Sequence, residues 1–259
     1  MSYLEAILLG ILQGLTEFLP VSSSGHLEIA KSLFGVSPEA SFNFTVAVHG
    51  ATVLSTIVVF REEILRLITG AFKFRMNEET IYLLKILISM IPVGLAGIFL
   101  KEPIEEMFNG NLVFVGSMLL VTAGLLALAH FVRKKERSIG YFDALVIGIA
   151  QAFAVIPGIS RSGATISTGL LIGNSKHEMA RFSFLMVLVP VIGANFLEIV
   201  SGEAVTGNTG TGLIITGFIA AFISGYVACR WMIELVRKSR LIWFAVYCVV
   251  AGLVSIILG

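Results

Sequence analysis

The sequence carries little charge for its length. Asp, Glu, Lys and Arg together make up 14% of the 259 residues, whereas soluble domains contain about 25% of these residue types. The net charge is only +1, and no Lys/Arg-rich segment indicates a nucleic-acid partner. Hydrophobic residues make up 56% of the chain, and the mean hydropathy is +0.94. These values predict a membrane protein.

Cysteine is also scarce, since only Cys229 and Cys248 occur. Both lie in apolar runs and lack the spacing of metal ligands, which excludes a disulfide framework or a cysteine-bound zinc. They are predicted to be small hydrophobic side chains in the core or against lipid.

The chain contains two kinds of apolar segment, interrupted and uninterrupted. Two apolar regions, 3–35 and 143–174, are interrupted near their middle by Pro, Gly and a Ser cluster. Irregular backbone at membrane depth is tolerated only where protein or water surrounds it. Each region is therefore predicted to be a re-entrant helical hairpin, and a pair of kinked spanning helices is the alternative. Six uninterrupted runs are close to the roughly 20 residues that span a bilayer core: residues 42–60, 81–100, 112–132, 182–200, 213–233 and 241–258.

The two interrupted regions resemble each other. At an offset of 138 residues, Gly, Ile, Gln, Ser, Ser and Gly recur between residues 10–25 and 148–163. The chain is therefore predicted to hold two repeats, 1–138 and 139–259, each with one hairpin followed by three spans. Because three is an odd number, the second repeat must be inverted relative to the first, as in many transporter folds. The predicted fold class is an all-α polytopic membrane protein with two inverted repeats.

Basic residues divide unevenly across this topology. Lys31 and Lys101 lie on one face, Arg161 lies within the membrane, and fifteen others lie on the opposite face. By the positive-inside rule the richer face is cytoplasmic, so both ends of the chain and the first hairpin are expected on the outer face. The fifteen are Arg61, Arg66, Lys73, Arg75, Lys85, Arg133, Lys134, Lys135, Arg137, Lys176, Arg181, Arg230, Arg237, Lys238 and Arg240.

The first hairpin carries a carboxylate at membrane depth. Glu17 follows Gln13 by about one helical turn, so both point from the same side of a helix. Intramembrane carboxylates are costly and usually functional; the simpler alternative is that Glu17 hydrogen-bonds the loop after it. A carboxylate beside an amide oxygen suits Mg²⁺ or Ca²⁺. Glu17 and Gln13 are therefore candidate metal ligands, with substrate phosphate oxygens completing the site.

A Ser-rich turn follows in the same hairpin. One of Ser22, Ser23 and Ser24 is explained as a helix N-cap, but three in a row exceed what a cap needs. A helix N-terminus with free N–H groups and hydroxyls binds anions. His26 adds a group that moves protons near neutral pH.

The second hairpin carries Arg161 between Ser160 and Ser162, with Thr165 in the next turn. An Arg near mid-membrane needs a fixed anion, and its planar fork suits bidentate phosphate binding. An internal ion pair with Glu17 is the alternative. Together the two tips offer a carboxylate, an imidazole, hydroxyls, a guanidinium and two helix N-termini. That inventory favours phosphoryl chemistry over sugar or amino-acid transport.

At these residues the chain resembles the undecaprenyl-diphosphate phosphatases, also called the bacitracin-resistance protein family. Residues 13–26 (QGLTEFLPVSSSGH) match the family's first motif, and residues 157–165 (PGISRSGAT) match its second. The resemblance covers nearly the whole chain. It implies a multi-pass protein of the bacterial plasma (inner) membrane that hydrolyses the terminal phosphate of undecaprenyl diphosphate. The active site is expected to open to the outer (periplasmic) face, and the product is the lipid carrier used in cell-wall synthesis.

The chain departs from the family pattern at two places. The family often has Glu at the position of Gln13, and it has an acidic residue at the position of Thr45. His49 and Thr52 match the family pattern in the same span, and the role of His49 is left open.

The residues and the resemblance together predict a mechanism. A divalent cation near Glu17 and Arg161, Mg²⁺ or Ca²⁺, would neutralise the diphosphate. A Ser, with Ser23 preferred to Ser22, or a water would attack the terminal phosphorus. His26 would transfer a proton to or from the nucleophile, while the polyprenyl tail of the lipid substrate stays in the membrane. The predicted catalytic residues are Glu17, Ser23, His26 and Arg161, and the predicted phosphate-binding residues are Ser22, Ser24, Ser160, Ser162 and Thr165.

The competing hypothesis is a transporter or flippase of polyprenyl phosphate or a related amphiphile. The inverted repeat favours a transporter, whereas the Ser, His and Arg constellation exceeds what binding requires and favours an enzyme. A purely structural membrane protein has no need of intramembrane Glu17 and Arg161. The sequence leaves the oligomeric state open, and a homodimer is one option.

The predicted topology is testable with reporter fusions. Alkaline phosphatase fused after Gly259 should be active, because only the extracytoplasmic compartment activates it, and a fluorescent protein there should stay dark. The same pair fused after Arg137, in the basic region, should give the reverse result. Cytoplasmic reporter activity after Gly259 would overturn either the count of spans or the re-entrant hairpins.

Overall fold

The computed structural model describes residues 1–36, 38–107, 110–132, 136–193, 210–238 and 240–259. Every regular element within these ranges is a helix. Residues 188–193 are also helical, up to the edge of a described range. The named helices are α1 Tyr3–Phe18, α2 Ser23–Phe34, α3 Pro38–Val59, α4 Arg61–Ala71, α5 Glu78–Phe99, α6 Lys101–Glu106, α7 Leu112–Phe131, α8 Tyr141–Phe153, α9 Arg161–Leu171, α10 Lys176–Met186, α11 Thr211–Arg237 and α12 Leu241–Leu258.

Five of these helices (α3, α5, α7, α11 and α12) are long and apolar enough to cross a membrane. Each coincides with a predicted span to within a few residues, which confirms an all-α polytopic membrane protein. The sixth predicted span, residues 182–200, begins within α10 and continues through the helical residues 188–193. Its remainder, residues 194–200, lies outside the described residues.

The two interrupted regions each form a pair of short helices. In the first, α1 and α2 have 16 and 12 residues, and in the second, α8 and α9 have 13 and 11 residues. All four are shorter than the roughly 20 residues that span the hydrocarbon core. Within each pair the two helices pack against each other, as the two arms of a hairpin do.

Helix α4 was not predicted from the sequence. It follows α3 after Phe60 and begins with Arg61, Glu62 and Glu63, so it is too polar for a hydropathy criterion to detect. Glu63 forms ion pairs with Arg66 of the same helix, at 2.6 Å, and with Arg181 of α10. The ion pair with Arg181 attaches the polar helix to the second half of the chain.

Helices from the two halves of the chain pack against each other at small residues. Helix α1 lies along α11, α8 lies along α5, and α7 lies along α12. A Cβ added to Gly14 would lie 2.5 Å from Ala221 O, and one added to Gly148 would lie 2.3 Å from Ser89 O. Small residues allow this close approach of backbones, which drives helix association in lipid. The close approach packs one face of the first helix of each hairpin against the other half of the chain, while the opposite face stays exposed, as at Leu4 and Phe142.

Many large apolar side chains lie on the outer surface. Ile98, Phe99 and Ile257 are 74%, 75% and 82% exposed. Contiguous apolar surface on this scale is unusual for soluble proteins and suits contact with lipid. Polar side chains such as Gln13, Gln151 and Thr165 are buried instead. These polar groups therefore lie between the helices and not on the apolar outer surface.

The close contact between α7 and α12 predicts that a larger side chain there would destabilise the protein. Gly116 and Gly252 face each other so closely that a Cβ on Gly116 would lie 2.6 Å from Gly252 O. Gly116→Ala should therefore lower the free energy of unfolding by about 1–3 kcal/mol, as overpacking does. Thermal unfolding of the purified protein in detergent measures this change.

Gly124→Ala is the matched control on the same helix, because a Cβ there meets nothing within 4 Å. It should leave the midpoint unchanged or raise it slightly, since Ala favours helix over Gly. Equal midpoints for the two variants would contradict tight packing between α7 and α12.

Candidate active site

The repeated sequence motif forms the same local structure twice. Ser22 is the N-cap of α2, and its hydroxyl accepts a hydrogen bond from Gly25 N at 3.3 Å. Ser160 is the N-cap of α9, and its hydroxyl accepts from Gly163 N at 3.1 Å. The first helical residues, Ser23 and Arg161, therefore occupy equivalent positions. Two helix N-termini, which attract anions, carry different side chains at the same place.

The tips of the two hairpins touch. A Cβ added to Gly25 would lie 3.2 Å from the Cα of Gly158, and Ser162 Oγ donates to the carbonyl oxygen of Leu19 at 3.2 Å. Gly158 has a φ of +96°, which lets the second loop turn sharply against α7. Glycine at both positions brings the two N-termini together.

Glu17 is the centre of the polar contacts between the hairpins. Its Oε2 accepts from Gln13 Nε2 at 2.9 Å and from Ser23 Oγ at 2.6 Å. Its Oε1 accepts from Nη2 of Arg161, the expected contact across the two tips. The Glu17 side chain is 10% exposed and that of Arg161 is 26% exposed. One carboxylate thus binds the candidate nucleophile, the candidate phosphate ligand and the amide.

His26 has different partners from those expected. Its Nδ1 lies 2.8 Å from the carbonyl oxygen of Ser22, and its Nε2 lies 2.8 Å from the hydroxyl of Tyr247. The Ser23 hydroxyl donates to Glu17 instead. The geometry therefore favours Glu17, and not His26, as the immediate proton acceptor for Ser23.

The predicted phosphate-binding hydroxyls lie on the same two helical turns. Ser24 Oγ lies 3.3 Å from Ser22 Oγ, and Ser162 Oγ lies 3.3 Å from Ser160 Oγ. Thr165 Oγ1 donates to the carbonyl oxygen of Arg161 at 2.9 Å. The matching distances show how closely the two turns correspond.

Two of these hydroxyls are fully enclosed by protein. Thr165 is 0% exposed and Ser160 is 1% exposed. Thr165 Oγ1 lies 2.7 Å from Ser183 Oγ, and Ser160 acts as the cap of α9. Both support the turn that presents Arg161.

Several residues at the site were missed by sequence reasoning. Thr122 donates to the carbonyl oxygen of Gly158 at 3.1 Å and accepts from Ser160 N at 3.0 Å, so it fixes the second loop. Tyr247 contacts His26, and Ser183 contacts Thr165. Each is a polar residue in an apolar or motif-free segment, and nothing in the local sequence indicated its partner.

His49, whose role the sequence left open, lies near the centre. Its Nδ1 donates to the carbonyl oxygen of Thr45 at 2.9 Å, one turn earlier in α3. The ring interacts electrostatically with the charges of Glu17, Arg161 and Lys31. His49 is therefore part of the electrostatic environment of the Glu17 carboxylate.

The donor set offers a divalent cation two protein oxygens. Gln13 is fully buried, and its Oε1 has no hydrogen-bond partner, while Glu17 lies within reach of the same amide. Among the described residues, no three His, Cys, Asp or Glu side chains form a metal-binding group. The pair therefore fits an oxygen-preferring cation only if a phosphate-bearing substrate supplies the further oxygens.

The chain is similar to known proteins along nearly its whole length. The profile of the family described as "Bacitracin resistance protein BacA" matches residues 6–254. A protein of Parabacteroides distasonis named undecaprenyl-diphosphatase is 54% identical over 260 residues, covering 99% of this chain and 98% of the relative. Proteins of the same name from Christiangramia forsetii and Bacteroides fragilis are 53% and 50% identical over 259 and 263 residues. The alignments cover 99% and 100% of this chain and 98% and 99% of those relatives.

Both hairpins and all five described spans fall within or overlap the matched region, and identity above one half extends over essentially the whole chain. The chain belongs to the bacitracin resistance protein BacA family.

Proposed function

We propose that this protein is a membrane phosphatase that hydrolyses undecaprenyl diphosphate to undecaprenyl phosphate and inorganic phosphate. The relatives' shared name, undecaprenyl-diphosphatase, supports the substrate. The observation that carries the chemistry is the Ser23 hydroxyl, which donates to Glu17 at 2.6 Å beside the guanidinium of Arg161. A nucleophile paired with a base, next to a phosphate ligand, is what phosphoryl transfer requires.

In the proposed reaction Ser23 Oγ attacks the terminal phosphorus as its proton passes to Glu17 Oε2. The bond between that phosphorus and the bridging oxygen breaks, and undecaprenyl phosphate leaves with the bonding electron pair. A water then attacks the phosphoserine and gives one proton to His26, which later releases it to solvent. The bond between Ser23 Oγ and phosphorus breaks, the proton held by Glu17 returns to Ser23 Oγ, and inorganic phosphate leaves. The Ser23 hydroxyl already donates to Glu17, so Glu17 is the base for the first step. His26 therefore acts elsewhere, in the second step.

Negative charge on the phosphoryl group is stabilised by Arg161 and by the two helix N-termini. Arg161 has five N–H donors in a planar fork, and Glu17 engages Nη2. Helices α2 and α9 are long enough to present unsatisfied N–H groups and a positive dipole end. Such preorganised donors act where charge develops in the transition state.

We propose that Gln13 and Glu17 would hold a divalent cation, Mg²⁺ or Ca²⁺, together with the diphosphate. The buried, unpartnered Oε1 of Gln13 supports this assignment. When bound, the cation would neutralise charge on the diphosphate. Glu17 accepts hydrogen bonds from Gln13, Ser23 and Arg161, and a bound diphosphate would compete with Glu17 for Ser23 and Arg161.

We propose that the two halves are inverted repeats and that the site opens to the outer, periplasmic face. Reciprocal packing supports the repeats: the first helix of each hairpin lies along the second spanning helix of the other half, α1 on α11 and α8 on α5. The uneven division of basic residues supports the orientation. The lipid substrate would keep its tail among the exposed apolar side chains.

Phosphate release tests the hydrolytic function against the flippase. Protein purified in detergent should release phosphate from undecaprenyl diphosphate, because hydrolysis needs no membrane, whereas flipping needs one and releases none. Ser23→Ala should lower kcat by at least about 10³-fold, the scale lost when a nucleophile is removed. Ser32→Ala, an exposed position on the same helix, should retain full activity. Substantial turnover by Ser23→Ala would assign the attack to water.

Replacing Arg161 by Lys tests the guanidinium fork. The charge is kept, but an ammonium does not grip two phosphate oxygens at once, so kcat should fall by about 10²-fold or more. Arg230→Lys, at an exposed position beside Tyr226, controls for the substitution itself. Near-normal turnover by Arg161→Lys, at unchanged thermal stability, would reduce Arg161 to a general positive charge.

Replacing Gln13 by Glu tests the metal ligands. A second carboxylate should tighten binding of the cation, so the Mn²⁺ concentration that half-saturates the protein, measured by electron paramagnetic resonance, should fall about tenfold. Gln151→Glu, the equivalent position in the second hairpin, should leave it unchanged. An identical Mn²⁺ titration for wild type and Gln13→Glu would contradict the assignment.

A further inference from the structure

Tyr247 contributes the one aromatic hydroxyl seen at the described site. It lies in α12, 221 positions away from His26 in sequence, and its hydroxyl lies 2.8 Å from Nε2 of His26. The two rings are also stacked, with centroids 5.5 Å apart and planes inclined by 12°. Two independent contacts, a hydrogen bond and a ring stack, therefore hold the imidazole against α12.

The other ring nitrogen determines the direction of this hydrogen bond. Nδ1 of His26 lies 2.8 Å from the carbonyl oxygen of Ser22, and a carbonyl oxygen only accepts. Nδ1 therefore carries the proton of the neutral ring, and Nε2 has the lone pair. It follows that the Tyr247 hydroxyl donates to the nitrogen that would take up a proton during catalysis.

The backbone of Ser22 holds its carbonyl in place. Ser22 has a φ of 69°, in the left-handed region that residues other than glycine rarely adopt. Such conformations persist where the surrounding structure determines them, and they concentrate at functional sites. The Ser22 carbonyl oxygen also accepts from His26 N at 3.2 Å. The imidazole is thus held between a constrained carbonyl and the Tyr247 hydroxyl.

We infer that Tyr247 is a positioning residue that orients His26 and pairs with its Nε2 before and after each proton transfer, giving up this nitrogen only while the proton is exchanged. A phenol donates to the neutral imidazole and accepts from Nε2–H of the imidazolium, so no buried ring nitrogen is left without a partner at either stage. The inference rests on the proposed role of His26 in proton transfer.

The location of Tyr247 fits this role. Its ring is 47% exposed and lies on the outward face of α12, along with Trp243 and Val250, which are 69% and 57% exposed. Its hydroxyl nevertheless meets His26, which is 8% exposed. The tyrosine therefore stands between the proposed proton-transfer group and the lipid-facing side of the protein.

Tyr247→Phe removes the hydroxyl and keeps the ring stack. In protein labelled with ¹⁵N at histidine, the His26 Nε2 resonance should move in this variant, because its hydrogen-bond donor is lost. Loss of one signal in His26→Asn identifies that resonance among the four histidines. Tyr141→Phe, whose ring is similarly exposed at 45%, should leave the resonance unchanged. An unshifted His26 signal in Tyr247→Phe would overturn the contact whatever the activity.

An assay of phosphate release tests whether loss of the Tyr247 hydroxyl slows catalysis. Tyr247→Phe should lower kcat about tenfold with KM within about twofold, as expected for losing one hydrogen bond to a group that becomes charged. Because both residues act through one contact, Tyr247→Phe combined with His26→Asn should be no slower than His26→Asn alone. A further tenfold loss in the double variant would show that Tyr247 acts independently of His26. Full activity of His26→Asn would instead remove the proposed role of His26, an outcome separate from the resonance shift.

Discussion

The contact between Glu17 and Arg161 is the constraint on which the site depends. Each charge is largely withdrawn from solvent, and each has the other as its ion-pair partner across the two hairpins. A buried charge without a partner is strongly destabilising, so the hairpins must meet tip to tip. Residues 144 positions apart are brought together for this reason. The Ser23 hydroxyl and the Gln13 amide then donate to the same carboxylate, so the candidate catalytic groups lie together at the junction.

The duplicated motif supplies two similar supports for different chemistry. Ser22 and Ser160 cap their helices in the same way, and this places Ser23 and Arg161 at equivalent first turns. One repeat therefore presents a hydroxyl and the other a guanidinium. Because each helix N-terminus is already held by its own cap, the first residue of either helix is free to differ without loss of local structure. Equivalent positions thus contribute complementary side chains to the candidate active site between the two halves.

Sequence reasoning succeeded where one physical requirement dominated. In lipid each spanning backbone must satisfy its own hydrogen bonds, so long apolar runs such as 112–132 and 241–258 correspond closely to α7 and α12. Glu17 and Arg161 could be identified from the sequence because a charged side chain within the membrane is costly and usually functional. Helix α4 escaped prediction since its first turn is charged. The sequence also did not indicate that the Ser23 hydroxyl would donate to Glu17, while proton transfer by His26 stays a prediction.

The sequence by itself determined the class of protein, the described spans, the two capped turns and the types of side chain at the site. These depend on composition and on neighbours within a few residues, where helical geometry relates position to direction. Only the tertiary structure decided that His26 meets Tyr247, that Thr122 holds the second loop, and that Thr165 meets Ser183. Those contacts join separate helices, and their existence depends on how each helix is rotated and how closely it approaches. Glycines such as Gly14, Gly116 and Gly148 set those distances, through packing that no local pattern records.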